Sequence, residues 1–291
     1  MIIYLFIIRM VFIGAHISRE SNLIATLNKI KEANGNALQI FASNPRTNKP
    51  SEINKKFFGD NFDIISDYIK KNKFSLVIHN PYTINLSMVP LNGKKEMDLK
   101  DCYWTKILIQ ELIIADKCNG IGCVVHCGKY TKNTKEEGLN YMKNCITYII
   151  HMIKKLGLNS KLILETSTGQ GTELLYKYEE FLSFYNSFDE DSKKHFKICI
   201  DTCHIWAAGY ELNEVYEMTK KNGNLNNIIV IHINNSKNPK NSHLDRHDEM
   251  LNNNGFIPIE DIPRPTSWAP VPGAPRRTTP PSARRRRSPP S

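Results

Sequence analysis

This 291-residue chain reads as a parallel α/β barrel of the TIM type, a (β/α)8 plan whose eighth unit is missing or replaced. Three observations carry that reading. Apolar runs alternate regularly with helical periodicities, which means βα units and a parallel sheet. Five of the runs end on a residue able to bind a metal: SLVIH on His79, GCVVH on His126, KLILE on Glu165, KICID on Asp201 and IIVIH on His232. The intervals between those ends, 47, 39, 36 and 31 residues, each match the size of one strand–helix unit. Buried parallel strands of this kind deliver their last side chains to the C-terminal mouth of a barrel, where such folds keep their active sites.

The units follow in order. A strand over 11–18 precedes a helix near 20–33, and ALQIFA at 37–42 precedes a helical stretch near 52–72. LVIH leads through a loop to a long helix over 99–118, with Ile107, Leu108, Glu111, Leu112 and Ala115 at helical spacing. After VVH comes a helix near 135–156, opened by Thr134 with Glu137 three residues on, the pattern of a capping box. LILE is followed by a helix near 174–187 and ICID by one near 211–221; IIVIHINN is the seventh strand. The barrel therefore spans 11–262, one unit short of eight. Losing the eighth strand would leave two sheet edges unpaired.

Both ends need separate reading. MIIYLFIIRMVFIG resembles a signal h-region, but the apolar run is short, no positive charge precedes it and Arg9 interrupts it. VFIGAHIS makes a first barrel strand, so residues 1–10 read as an N-terminal extension, and no membrane span is expected. From Pro263 the composition turns to Pro, Arg, Ser, Thr and Ala, which cannot bury a core, so 263–291 reads as a disordered tail. Two explanations of it stand. RRRR at 284–287 suits a nuclear-import or nucleic-acid patch, whereas the abrupt break suits foreign or out-of-frame sequence joined to a truncated barrel.

The formal net charge of +10 is mostly that tail. Seven arginines lie beyond Asp261, and the remainder carries only +3, which tolerates a polyanion without requiring one. All seven cysteines fall between Cys102 and Cys203, without a CxxC pair or a compact disulfide framework. Reduced thiols in an intracellular setting, nucleus or cytoplasm, are expected. Cys127 and Cys203 adjoin candidate ligands but are not counted among them.

Two more pairs enlarge the candidate set. In IDTCH, Asp201 and His204 are three apart where a strand turns into a loop; in HLDRH, Asp245 and His247 share one side of an extended segment. Eight imidazole and carboxylate ligands without thiolate suit zinc or manganese in an open, catalytic site. Eight exceed the needs of one ion and suggest two or three. Clustered divalent cations suit displacement at phosphorus.

VIHNPYTINL, VVHCGKYT, LILETSTGQGTEL, CIDTCHIWAAGYE, VIHINNSK and HLDRHDE together resemble the endonuclease IV family of apurinic/apyrimidinic (AP) endonucleases, built on the xylose-isomerase-like barrel. GAHIS at 14–18 resembles that family's first strand, and the likeness runs to about Asp261. It implies three zinc ions: His79, His126 and Glu165 on the first, a bridging Glu165 with Asp201 and His232 on the second, and His204, Asp245 and His247 on the third. The implied nucleophile is a hydroxide held between ions bridged by Glu165. It further implies a monomer acting on double-stranded DNA with abasic sites, cleaving the phosphodiester 5′ to the lesion in base excision repair and trimming blocked 3′ ends. Arg46 and Tyr82 match positions that probe the helix at the damage, and His16 is expected to support the cluster as a hydrogen-bond partner.

The chain departs from the pattern in three places. No acidic residue follows Asp261, so the glutamate that the family places at the end of the eighth strand, a further ligand to the second ion, has no counterpart. Thr83 stands where an apolar wedge is common, and NNNG at 252–255 replaces a more glycine-rich turn. Two other readings therefore stand beside the zinc nuclease: a sugar isomerase or epimerase on the related barrel, and an inactive remnant that binds DNA. HLDRH argues against the isomerase, which does not need that third group.

Overall fold

The structure is a computed structural model that describes residues 2–7, 10–50, 52–92, 95–250 and 254–261. Eight strands close into a barrel. They are β1 (Ile2–Ile7), β2 (Met10–His16), β3 (Ala37–Phe41), β4 (Ser75–His79), β5 (Gly122–His126), β6 (Lys161–Glu165), β7 (Phe196–Asp201) and β8 (Ile228–Ile233). From β2 to β8 every neighbouring pair is parallel. The exception is β1, which lies antiparallel to both β2 and β8 and closes the ring between them, with Ile3 opposite Gly14 on one side and His232 on the other. Residues expected as an extension thus fill the gap left by the eighth parallel strand, and the two edges expected to be unpaired are paired. The tail, 263–291, lies outside the described residues, as do 252–253 of the NNNG turn.

Helices cover the outside: α1 (Leu23–Glu32), α2 (Lys55–Phe58), α3 (Phe62–Lys71), α4 (Tyr103–Lys117), α5 (Lys135–Lys155), α6 (Tyr178–Asn186), α7 (Glu190–Lys193), α8 (Thr202–Ala207) and α9 (Leu212–Lys221). The stretch near 52–72 divides at Gly59, whose φ of 74° breaks one helix into α2 and α3. The Thr134–Glu137 capping box is present at the start of α5. Two short helices, α7 and α8, were not legible; α8 begins directly after β7, with the Asp201 carboxylate as its N-cap accepting the His204 backbone N–H at 3.1 Å. No helix of the described residues is long and apolar enough to cross a membrane.

The barrel's interior is layered. Phe12, Ala37, Val77, Val124, Ile163, Cys199 and Val230, one from each parallel strand, form a buried apolar cluster separate from the core under the helices. Each large aliphatic member contributes about 1.5–3 kcal/mol by leaving water. This layer is the dry floor on which the polar residues above it rest.

Candidate metal centre

Side chains in a strand alternate faces, so the residue two positions beyond each floor member points inward again, one layer higher. Those positions are Gly14, Gln39, His79, His126, Glu165, Asp201 and His232. Period 2 alone therefore builds an inward layer holding five of the eight candidate ligands. The first parallel strand, β2, contributes a glycine because a Cβ at Gly14 would lie 1.6 Å from the Ala37 carbonyl oxygen. His204 comes from α8, and Asp245 and His247 from the segment after β8. Its two-residue strand β10 (His247–Asp248) pairs with β9 (Asn235–Ser236) and folds it back over the mouth.

Three donor groups result. Glu165 Oε2 stands 3.3 Å from His79 Nε2 and 3.0 Å from His126 Nε2. The other oxygen of the same carboxylate, Oε1, stands 2.7 Å from His232 Nδ1, which is itself 3.6 Å from Asp201 Oδ2. In the third group Asp245 Oδ1 is 3.4 Å from His204 Nε2 and 3.2 Å from His247 Nε2, and the two imidazole nitrogens are 3.4 Å apart. Ligands bound tetrahedrally at 2.0–2.1 Å stand about 3.3 Å from one another. The spacing, and a donor set of imidazole and carboxylate alone, fit divalent cations of the zinc type. Asp201 Oδ2 also lies 3.7 Å from His247 Nε2, so the second and third groups adjoin.

Outer contacts fix which atom each ligand presents. His79 Nδ1 faces the Asn80 carbonyl oxygen at 2.8 Å and His204 Nδ1 faces that of Thr166 at 2.7 Å, leaving both Nε2 atoms to the cluster. Asn234 donates to Asp201 Oδ2 at 2.6 Å, and the Asp245 backbone N–H donates to Gln170 Oε1 at 3.0 Å. Burial pushes the Glu165 carboxyl upward, but the fields of His232 and His126 outweigh it and hold the group well below the usual carboxylate range. Burial likewise opposes the charging of His204 and His232, yet both are raised well above the usual imidazole value, His204 chiefly by Asp201 and His232 by Cys199 and Glu165. Protons and cations therefore compete for the same nitrogens.

The His16 ring stands 6.0 Å from that of His79, but its described hydrogen bond does not go to a candidate ligand. Its Nδ1 meets Gln39 Nε2 at 3.1 Å, and Gln39 Oε1 meets His232 Nε2 at 2.9 Å, so the support expected from His16 passes through Gln39. Sequence reading missed Gln39 because ALQIFA does not end on a ligand; its phase two residues after Ala37 was the available signal. Burial pushes His16 down to about 3. The seven cysteines are free and buried. Cys199 and Cys203 lie near donor atoms of the cluster, and burial pushes both thiols up to about 12.

Tyr82 is 62% exposed at the mouth, its ring 5.8 Å from those of His79 and His126 and 5.1 Å from Phe41. Arg46 is exposed on a neighbouring loop. The Tyr82 backbone N–H donates to the Pro45 carbonyl oxygen at 3.0 Å and the Thr83 hydroxyl to that of Thr47, so the two loops are laced together. Thr83, noted as a departure from the family pattern, thus ties the two loops together. Lys237 and Arg246, neither foreseen as site residues, line the same cleft of about 450 Å³.

A family profile described as a xylose isomerase-like TIM barrel matches residues 27–263. Among curated relatives, the probable endonuclease 4 of Mycoplasma capricolum subsp. capricolum is 31% identical over 258 residues, covering 87% of this chain and 84% of its own. The probable endonuclease 4 of Clostridium botulinum is 29% identical over 258 residues, with 87% and 86% covered. The crystal structure of endonuclease IV from Thermus thermophilus superposes with a TM-score of 0.62 at 21% identity, covering 83% of this chain and 81% of that one. A D-tagatose 3-epimerase-like protein superposes at 0.56 and 19% identity, with 77% and 76% covered. At such identities the superpositions speak to the fold alone.

Proposed function

The chain belongs to the endonuclease IV family of xylose isomerase-like TIM barrels, and from that premise we propose that it is a zinc-dependent AP endonuclease of base excision repair. It would cleave the phosphodiester 5′ to an abasic site in double-stranded DNA and trim blocked 3′ ends. One observation supports this reading above the others: a single carboxylate, Glu165, offers one oxygen to His79 and His126 and the other to His232, while a third group closes beside it.

By this reading His79, His126 and Glu165 hold one cation, Glu165, Asp201 and His232 a second, and His204, Asp245 and His247 a third. Divalent ions so held supply Lewis acidity at phosphoryl oxygens and lower the pKa of water. The remaining work falls to the chain. Glu165, shared between two groups, ties their separation to one rigid side chain on β6. Lys237 and Arg246 give the cleft positive charge beside the phosphodiester, and Tyr82 with Arg46 on the laced loops meets the duplex where the base is missing. Extruding such a nucleotide costs less than extruding a paired one. The floor of aliphatic side chains keeps the lower face of the cluster dry, which strengthens each electrostatic contact above it.

The His204–Asp245–His247 group also separates this reading from a sugar isomerase, whose one or two metals leave it without a purpose. The test is incision of a duplex carrying one abasic site, with and without chelator, followed by restoration with zinc or manganese. Cutting on the 5′ side, abolished by chelation, is expected; an intact duplex with fully loaded protein would overturn the proposal.

A further inference from the structure

Gln39 is fully buried, on the inward face of β3, in the same layer as five candidate ligands. It carries no charge and offers no donor atom to Glu165 or Asp201. Its amide instead spans two histidines: Oε1 at 2.9 Å from His232 Nε2, and Nε2 at 3.1 Å from His16 Nδ1. An amide has two distinct ends, and a neutral imidazole has one donor and one acceptor. The two contacts are therefore coupled. With Oε1 toward His232, a neutral His232 that binds a cation would carry its proton on Nε2 and present the lone pair of Nδ1, the nitrogen facing Glu165 and Asp201. With the amide reversed, Gln39 would donate to His232 Nε2, the proton would pass to Nδ1, and Nδ1 would be closed to a cation. A His16 whose Nδ1 accepts from Gln39 selects the first arrangement.

We infer that Gln39 is a positioning residue that, braced by His16, sets the tautomer of His232 and thereby the affinity of the second cation group. The inference rests on the reading of the cluster as a metal centre. Second partners of this kind are worth roughly 10–100-fold in metal affinity. The effect is confined to one of the three groups, because Gln39 touches none of the other ligands among the contacts described.

The test compares the full chain with Gln39→Leu, Gln39→Glu and His16→Phe. Each is titrated with zinc alone against a competing chelator, and the apo melting temperature is recorded. Long-range 15N spectra of the histidine side chains in zinc-loaded protein read the His232 tautomer. Gln39→Leu should weaken one zinc by roughly 10–100-fold and leave the other sites unchanged. Gln39→Glu, which keeps an acceptor toward Nε2, should retain that zinc, and His16→Phe should weaken the same site less. These metal counts hold whatever the substrate. Wild-type protein that loads zinc beside a Gln39→Leu variant of affinity within about twofold overturns the inference alone. Wild-type protein that binds no zinc overturns the metal centre and this inference with it. Should Gln39→Leu lower the apo melting temperature, the comparison of Gln39→Glu with His16→Phe decides: equal zinc affinity in both means that tautomer control is absent.

Discussion

The Thr166 carbonyl oxygen lies 2.7 Å from His204 Nδ1 and so aims the opposite nitrogen of that ring at Asp245 and His247. Thr166 follows Glu165 directly, so one short segment after β6 supplies a shared carboxylate and orients a ligand of another group. Asp245→Asn removes the only carboxylate of that third group. The expected result is one zinc fewer per chain and a loss of incision exceeding the roughly 10–100-fold typical of an outer partner. Elemental analysis of dialysed protein beside an incision assay checks it, and full zinc content with normal incision would show that Asp245 is not a ligand.

Tyr82 offers a prediction that separates duplex binding from metal binding. Its ring sits over His79 and His126 but donates nothing to them. Tyr82→Ala should weaken binding of a duplex with one abasic site by about 10–100-fold, from the loss of stacking worth about 1–3 kcal/mol. Zinc content should be unchanged. Fluorescence anisotropy with labelled duplex measures the first, metal analysis the second; loss of zinc would make Tyr82 a packing residue of the cluster.

Sequence made the barrel legible because strand phase and ligand phase coincide. His79, His126, Glu165 and Asp201 close their strands, and His232 is one residue short of the end of β8, so an apolar run and its polar end could be read together. Gln39 escaped because it sits mid-strand, and only the registration of Ala37 with the floor residues of other strands reveals its inward face. The α8 helix escaped because Asp201 serves at once as strand end, candidate ligand and N-cap, and the sequence was legible only for the first two. The antiparallel β1 was the largest departure. An apolar segment adjoining a predicted first strand is compatible with an extension, and its pairing depends on β8, more than 200 residues away in sequence.

Glu111 should make stability depend on pH. The carboxyl is buried on α4, accepting from Ser43 Oγ at 2.5 Å and Asn80 Nδ2 at 3.1 Å, and burial raises its pKa from 4.5 to about 7. A raised folded-state pKa means that the folded form prefers the proton. Its contribution is complete below pH 4.5, falls as pH rises from 4.5 to 7, and is gone above that. The span corresponds to about 3 kcal/mol. Glu111→Gln should flatten this part of the profile, read as the difference between wild type and variant in chemical unfolding over that window. Parallel profiles would mean that Glu111 titrates normally in the folded state.

Closure by β1 gives the sharpest structural expectation. The strand pairs with β2 from Ile2 opposite Ala15 to Ile7 opposite Met10, and with β8 from Ile2 opposite Ile233 to Leu5 opposite Val230. Starting the chain at Met10 would strip both neighbours of that ladder and expose two rows of unpaired N–H and C=O groups, a template for association with other chains. One of the exposed strands carries His232, so the second cation group should soften with the edge. The shortened protein should melt lower, by about 2–4 °C for each kcal/mol lost. It should also scatter light in a concentration-dependent way and bind its second zinc more weakly. An unchanged melting temperature with a monodisperse solution would mean that the barrel does not depend on residues 2–7 for closure.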